Sequence, residues 1–163
     1  MLRKGQLIPP LSIHTPGGRT VRAWDYKQKK NLVIAFLDAN CAPCEEFLRT
    51  LASSSAVLHE SESIALIVFI EPPSRCLTDS LPTEIIVGSD IPGRSARAFL
   101  GDDAFAAPGF LRGAIFVTDR YGELSAQWPI ERHKFPPLAE ILIALDYVQM
   151  ACDSCSVPTW PAD

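Results

Sequence analysis

The stretch Asn31-Leu32-Val33-Ile34-Ala35-Phe36-Leu37-Asp38-Ala39-Asn40-Cys41-Ala42-Pro43-Cys44-Glu45-Glu46-Phe47 decides the fold. Asn31 to Leu37 is nearly all apolar, the pattern of a central strand buried on both faces. After Cys44 the period changes. Phe47, Leu48, Leu51 and Leu58 recur at helical spacing, and Glu45 and Glu46 fall in the first turn, where the helix dipole favours acids. A buried strand therefore hands over to a helix at a C-x-P-C motif. A cysteine just before a helix N-terminus faces unpaired N–H groups that stabilise its thiolate. A second cysteine, three residues on, lies one turn away and can resolve a mixed disulfide formed on the first. Pro43 suits the first turn, where its missing N–H costs nothing.

Working outward, Leu11-Ser12-Ile13 and Thr20-Val21-Arg22 flank Pro16-Gly17-Gly18 and predict a small hairpin. Ile64 to Ile70 predicts a second buried strand, Glu84 to Val87 a short one, and Arg94 to Leu100 a short helix closed by Gly101. Residues 102–112 are loop-like. Ala114 to Thr118 predicts a third strong strand, turned at Asp119-Arg120-Tyr121-Gly122 into an antiparallel partner from Glu123 to Trp128. Pro136 and Pro137 open a last helix whose apolar face is Leu138, Ile141, Leu142, Leu145 and Val148. Parallel strands crossed by a helix are right-handed and covered on both faces. The expected class is α/β: a three-layer α/β/α sandwich with a mixed central sheet and an N-terminal β-hairpin. The expected division is a domain over 1–151 and a C-terminal tail over 152–163.

Composition narrows the function. A chain of 163 residues suits one domain, and 47% hydrophobic residues suffice for a core, which excludes general disorder. A net charge of −4 offers no basic face, so neither nucleic acid nor a membrane surface is an expected partner. The longest apolar run, Ile64 to Ile70, is far short of the ~20 residues a membrane helix needs. No apolar stretch follows Met1-Leu2-Arg3-Lys4, so an export signal is not expected and the cytoplasm is the expected location. The cysteines number five, and four of them form two C-x-x-C pairs, Cys41–Cys44 and Cys152–Cys155. Such pairs in a reducing compartment signify redox chemistry or metal more often than structural staples.

With these residues in view, the chain resembles a thioredoxin-fold redoxin, the group holding the AhpC/TSA peroxiredoxins and the TlpA-like thiol-disulfide oxidoreductases. The resemblance runs over roughly residues 4–150. It is carried by KGQLIPPLSI, by GGRTVRAWDYKQKKNLVIAFLDANCAPCEEF and by GAIFVTDRYGELSAQW. It implies a thioredoxin-like fold with the reactive cysteines at the C-terminal edge of the parallel strands. Each family's accessory residues are incomplete. Asn40 stands where thioredoxins have tryptophan, Ala35 where they have a buried acid, and Gly113 where they have the cis-proline facing the motif. Cys41 and Leu37 stand where peroxiredoxins have threonine and proline, and Arg112 is one position from their activating arginine.

The combined reading is a thiol-disulfide oxidoreductase. Cys41 is the nucleophile and Cys44 resolves; Pro43, Arg112 and Gly113 bind substrate or activate. A protein or small-molecule disulfide is the substrate and a reductase the electron donor, with no cofactor and no metal. A homodimer stays open. Two alternatives remain: a thiol peroxidase with Cys44 peroxidatic, acting on a hydroperoxide, and a redox-inert module whose tail binds metal or a partner. Cys152 and Cys155 form a second dithiol of open role, and Cys76 is a spare thiol. His14, His59 and His133 are surface or structural residues, Trp24 and Trp128 pack, and Glu45 or Glu46 can take a proton from Cys44 through water. Three geometric expectations follow. Cys41 is more exposed than Cys44. Gly113 leaves open space beside Cys41, so that proline there alters exchange more than stability. The last helix runs away from the site, carrying Cys152 to the opposite pole.

Overall fold

A computed structural model of the chain describes residues 1–39, 41–72, 80–91, 93–105 and 113–151. The N-terminal hairpin forms as read, from β1 (Ser12–His14) and β2 (Thr20–Arg22), with Ile13 opposite Val21. The deciding stretch gives β3 (Asn31–Leu37), buried at every position. It is followed by α1 (Ala42–Ser53), α2 (Ser55–Glu60) and β4 (Ser63–Phe69), also buried throughout. The helix breaks between Ser53 and Ser55, within the serine run Ser53-Ser54-Ser55, where Ser53 Oγ donates to Thr50 O at 2.7 Å. Next come β5 (Ile85–Ser89), α3 (Arg94–Leu100), β6 (Gly113–Thr118), β7 (Leu124–Ile130) and α4 (Leu138–Ala151). Part of the expected 102–112 loop is a 3-10 turn, Asp102–Phe105; the remainder, from 106 on, lies outside the described residues.

The strands make one mixed sheet in the order β2-β1-β5-β4-β3-β6-β7. β3, β4 and β5 are parallel, and β6 runs antiparallel to β3 and β7, so β7 points the same way as β3. The hairpin joins this sheet through His14 opposite Ser89.

Alternation along each strand sorts two cores. Leu32, Ile34 and Phe36 face α3 and the N-terminal segment, where Phe36, Phe99 and Phe116 form a ring cluster with centroids 5.2–6.1 Å apart. Val33, Ala35 and Leu37 face α1, α2 and α4, against Phe47, Leu51, Leu58, Ile141 and Leu145. The three-layer expectation holds. No helix among the described residues is long and apolar enough to cross a membrane.

Three chain segments converge at one edge of the sheet. β3 ends there at Leu37, β6 begins there at Gly113, and β7 ends there at Ile130, which pairs with Gly113. α4 runs back, as expected. Near its end Gln149 Oε1 accepts from Asn31 Nδ2 at 2.8 Å, and Asn31 is the first residue of β3. Six residue steps of strand separate that clasp from Leu37, roughly 20 Å. Cys152 itself lies outside the described residues.

Candidate active site

Cys41 is the N-cap of α1, with extended backbone (φ −123°, ψ 110°), and Ala42, Pro43 and Cys44 form the first turn. The local sequence dictates this. Pro43 cannot donate and is tolerated there, Cys44 N–H turns back to Cys41, and Glu45 stands at the positive end of the dipole. The Cys41 sulfur serves as the capping group: Sγ accepts from the Cys44 backbone N–H at 3.2 Å. On its other side it lies 3.0 Å from Nδ1 of His133.

His133 was read from the sequence as a surface or structural residue; it is exposed, and the structure adds that its ring meets Cys41. It sits in the turn Glu131–Lys134 that follows β7, closed by Lys134 N–H donating to Glu131 O at 2.9 Å. Arg132 and His133 both have positive φ, 49° and 59°. Two successive left-handed residues make a tight reversal, and it aims the imidazole at the end of α1. Phe135, just beyond, stacks on Phe47 of α1 with centroids 4.7 Å apart, tying the turn to the helix. The sequence ERHK lacks the Asn-Gly or Asp-Gly signature of such turns, so no local signal marked it. The other two histidines fit the surface reading: His14 meets Thr20 Oγ1 and His59 meets Glu84 Oε1, each at 3.1 Å.

The two cysteines are equally buried, at 4% exposure each, which overturns the expectation that Cys41 is the more exposed. Both belong to the apolar cluster beneath α1, and both are free thiols. Their surroundings nonetheless differ. Burial pushes the Cys44 thiol up to about 12, helped by its hydrogen bond with Cys41 and opposed by one from the Asp38 backbone. Cys44 is thus the sulfur that holds its proton. Glu45 and Glu46 pair with Arg49, at 3.6 and 2.7 Å. The acid that acts on Cys44 electrostatically is Asp38.

A small cleft opens beside the pair, bordered by Leu37, Asp38, Cys44, Gly113, Arg132 and His133. Its free volume, about 10 Å³, matches about one water molecule. Gly113 is therefore at the site, but not for the reason expected. A Cβ there would collide with the Phe36 carbonyl oxygen. Glycine is required by the close approach of β3, and proline in its place would break the sheet before it touched exchange. The cation that reaches the cleft is Arg132. Arg112, Cys76, Cys152 and Cys155 lie outside the described residues. Trp24 and Trp128 are partly buried against the two cores, as read.

No family model and no curated protein sequence matches the chain. Solved structures do. One assigned as a thiol:disulfide interchange protein DsbE, from Chlorobium tepidum, is 19% identical, with a TM-score of 0.66 over 89% of this chain and 99% of that one. A yeast mitochondrial 1-Cys peroxiredoxin is 16% identical, with a TM-score of 0.75 over 93% and 78%. The peroxidoxin BcpB of Mycobacterium tuberculosis is 15% identical, with a TM-score of 0.74 over 94% and 100%. At such identities the likeness speaks for the backbone: the chain has the thioredoxin-like α/β fold, the fold of that interchange protein and of these peroxiredoxins alike.

Proposed function

We propose that the chain is a thiol-disulfide oxidoreductase in which Cys41 attacks and Cys44 resolves. One observation carries the reading: Cys41 Sγ lies between the Cys44 backbone N–H in the first turn of α1 and the His133 imidazole, 3.2 and 3.0 Å away. Both are donors when the sulfur is a thiolate and the ring an imidazolium, the pairing that sustains a nucleophilic cysteine. Attack of the Cys41 thiolate on a substrate disulfide forms a mixed disulfide and expels one substrate thiolate. Cys44 then loses its proton, attacks Cys41 Sγ and expels the second thiolate, leaving a Cys41–Cys44 disulfide. A dithiol reductant returns two electrons and two protons. Keeping Cys44 protonated until the mixed disulfide forms orders the two steps, and His133, once its ring proton has passed to the departing substrate thiolate, is the base at hand.

The likeness to an interchange protein supports this reading, and the likeness to peroxiredoxins keeps peroxidase chemistry as its rival. A peroxidase that attacks through Cys44 is the weaker reading, since a thiol pushed up to about 12 supplies little thiolate near neutral pH. Reduction of a protein disulfide such as that of insulin tests the choice. Cys41→Ser abolishes it, and Cys44→Ser accumulates a mixed disulfide on Cys41. Hydroperoxide consumption lost in Cys44→Ser but kept in Cys41→Ser would reverse the assignment.

A further inference from the structure

Cys41 Sγ, Cys44 Sγ and a ring nitrogen of His133 lie within 4.8 Å of one another. They come from two elements locked together by the Phe47–Phe135 stack. A cation among them needs about 2.3 Å to each sulfur and about 2.0–2.1 Å to nitrogen. For tetrahedral to trigonal angles that sets roughly 3.8–4.0 Å between sulfurs and roughly 3.6–3.8 Å from sulfur to nitrogen. The His133 ring, now 3.0 Å from Cys41 Sγ, has to withdraw by roughly 0.6–0.8 Å, within the reach of one exposed side chain.

We propose that the reduced protein binds one thiophilic d10 cation, copper(I) or zinc(II), through Cys41 Sγ, Cys44 Sγ and His133. The donor set selects the class. Thiolates and imidazole favour these ions over calcium, magnesium and manganese, which want oxygen. Among the described residues no carboxylate joins the group. Three donors satisfy copper(I). Zinc(II) wants a fourth, and the cleft bordered by Cys44 and His133 has room for about one water to supply it. Binding displaces two protons, one from Cys44 and one from the Cys41–His133 pair, and changes no oxidation state. The inference stands on the donor set alone and does not rest on the exchange reading. It does constrain it: the same two sulfurs cannot hold an ion and attack a disulfide, and the Cys41–Cys44 disulfide has no thiolate to offer. Loading silences exchange, and oxidation releases the ion.

The test uses the full chain with Cys76, Cys152 and Cys155 each changed to serine, so that Cys41 and Cys44 are the only thiols. Circular dichroism checks its fold. The reduced protein is titrated anaerobically with copper(I) against bathocuproine disulfonate, and separately with zinc(II) against a chromogenic chelator. The expected result is one equivalent of at least one ion, with two sulfur ligands and one imidazole in its X-ray absorption spectrum. The ion that binds in competition is the one assigned. His133→Ala weakens binding about tenfold or more and removes the imidazole scattering. Failure of both ions to bind stoichiometrically, or unchanged affinity in His133→Ala, overturns the proposal. In the unsubstituted chain the bound ion slows alkylation of Cys41 and Cys44, and unchanged labelling of both contradicts it. Insulin reduction by the metal-free protein separates the two readings. Exchange without ion binding defeats only this inference, and ion binding without exchange defeats only the functional one.

Discussion

Cys44 holds its proton because ionising it would strand a charge in the apolar cluster under α1. That has a consequence for stability. The folded thiol is pushed from an ordinary 9.0 up to about 12, so the folded state binds this proton more tightly than the unfolded chain does. Its contribution is fully present below pH 9 and is lost as pH rises through that value towards 12. Cys44→Ser should therefore lose less stability than the parent chain between these limits in denaturant titrations at stepped pH. Equal slopes for the two proteins would show that burial does not govern this thiol. Gly113 sets a second residue-scale limit. Its missing Cβ is what lets β3 and β6 meet beside the cleft. Gly113→Ala should cost on the order of 1–3 kcal/mol or more, because the obstructing atom is backbone and cannot swing aside. A loss under about 0.5 kcal/mol, the range of an ordinary surface change, would contradict the close approach.

At the scale of elements, the turn Glu131–Lys134 is where the molecule accepts strain to place a functional group. Left-handed backbone at a residue other than glycine or asparagine costs roughly 1–2 kcal/mol, and Arg132 and His133 both adopt it. Arg132→Asn should raise stability by about 0.5–1 kcal/mol, since asparagine tolerates this region, while removing the cation from the cleft slows disulfide exchange. Chemical denaturation and an exchange assay read the two effects, and a destabilised variant would refute the strain. The contrast between this turn and its neighbours explains what was legible. β3, β4, β6 and α3 could be read because apolar periodicity and Gly101 are local signals. The α1–α2 break falls in the local serine run Ser53-Ser54-Ser55, whereas the β7–α4 turn is set by contacts with a helix some ninety residues earlier in the chain. That turn leaves no local mark. Equal burial of the two cysteines was illegible for the same reason, since their cover comes from another part of the chain.

On the scale of the whole molecule, the proposed site lies at one edge of the sheet. The ends of β3 and β7 and the start of β6 bring Cys41, His133 and Gly113 together, and α4 leads away to the Asn31–Gln149 clasp at the opposite edge. The C-x-P-C motif announced half of this site, because a strand-to-helix junction is written in consecutive residues. The imidazole half depends on β7 running parallel to β3, a property of topology. The central claim is that this convergence makes Cys41, not Cys44, the attacking sulfur. It is tested most directly by treating the reduced, metal-free protein with substoichiometric iodoacetamide near pH 7 and mapping the modified peptides by mass spectrometry. Both residues are 4% exposed, so the order of modification reports reactivity rather than access. Cys41 should be alkylated well ahead of Cys44, by about tenfold or more, as expected for a sulfur held by an N–H and an imidazole against a thiol that burial keeps protonated. Modification of Cys44 first, or of both at equal rates, would contradict the account.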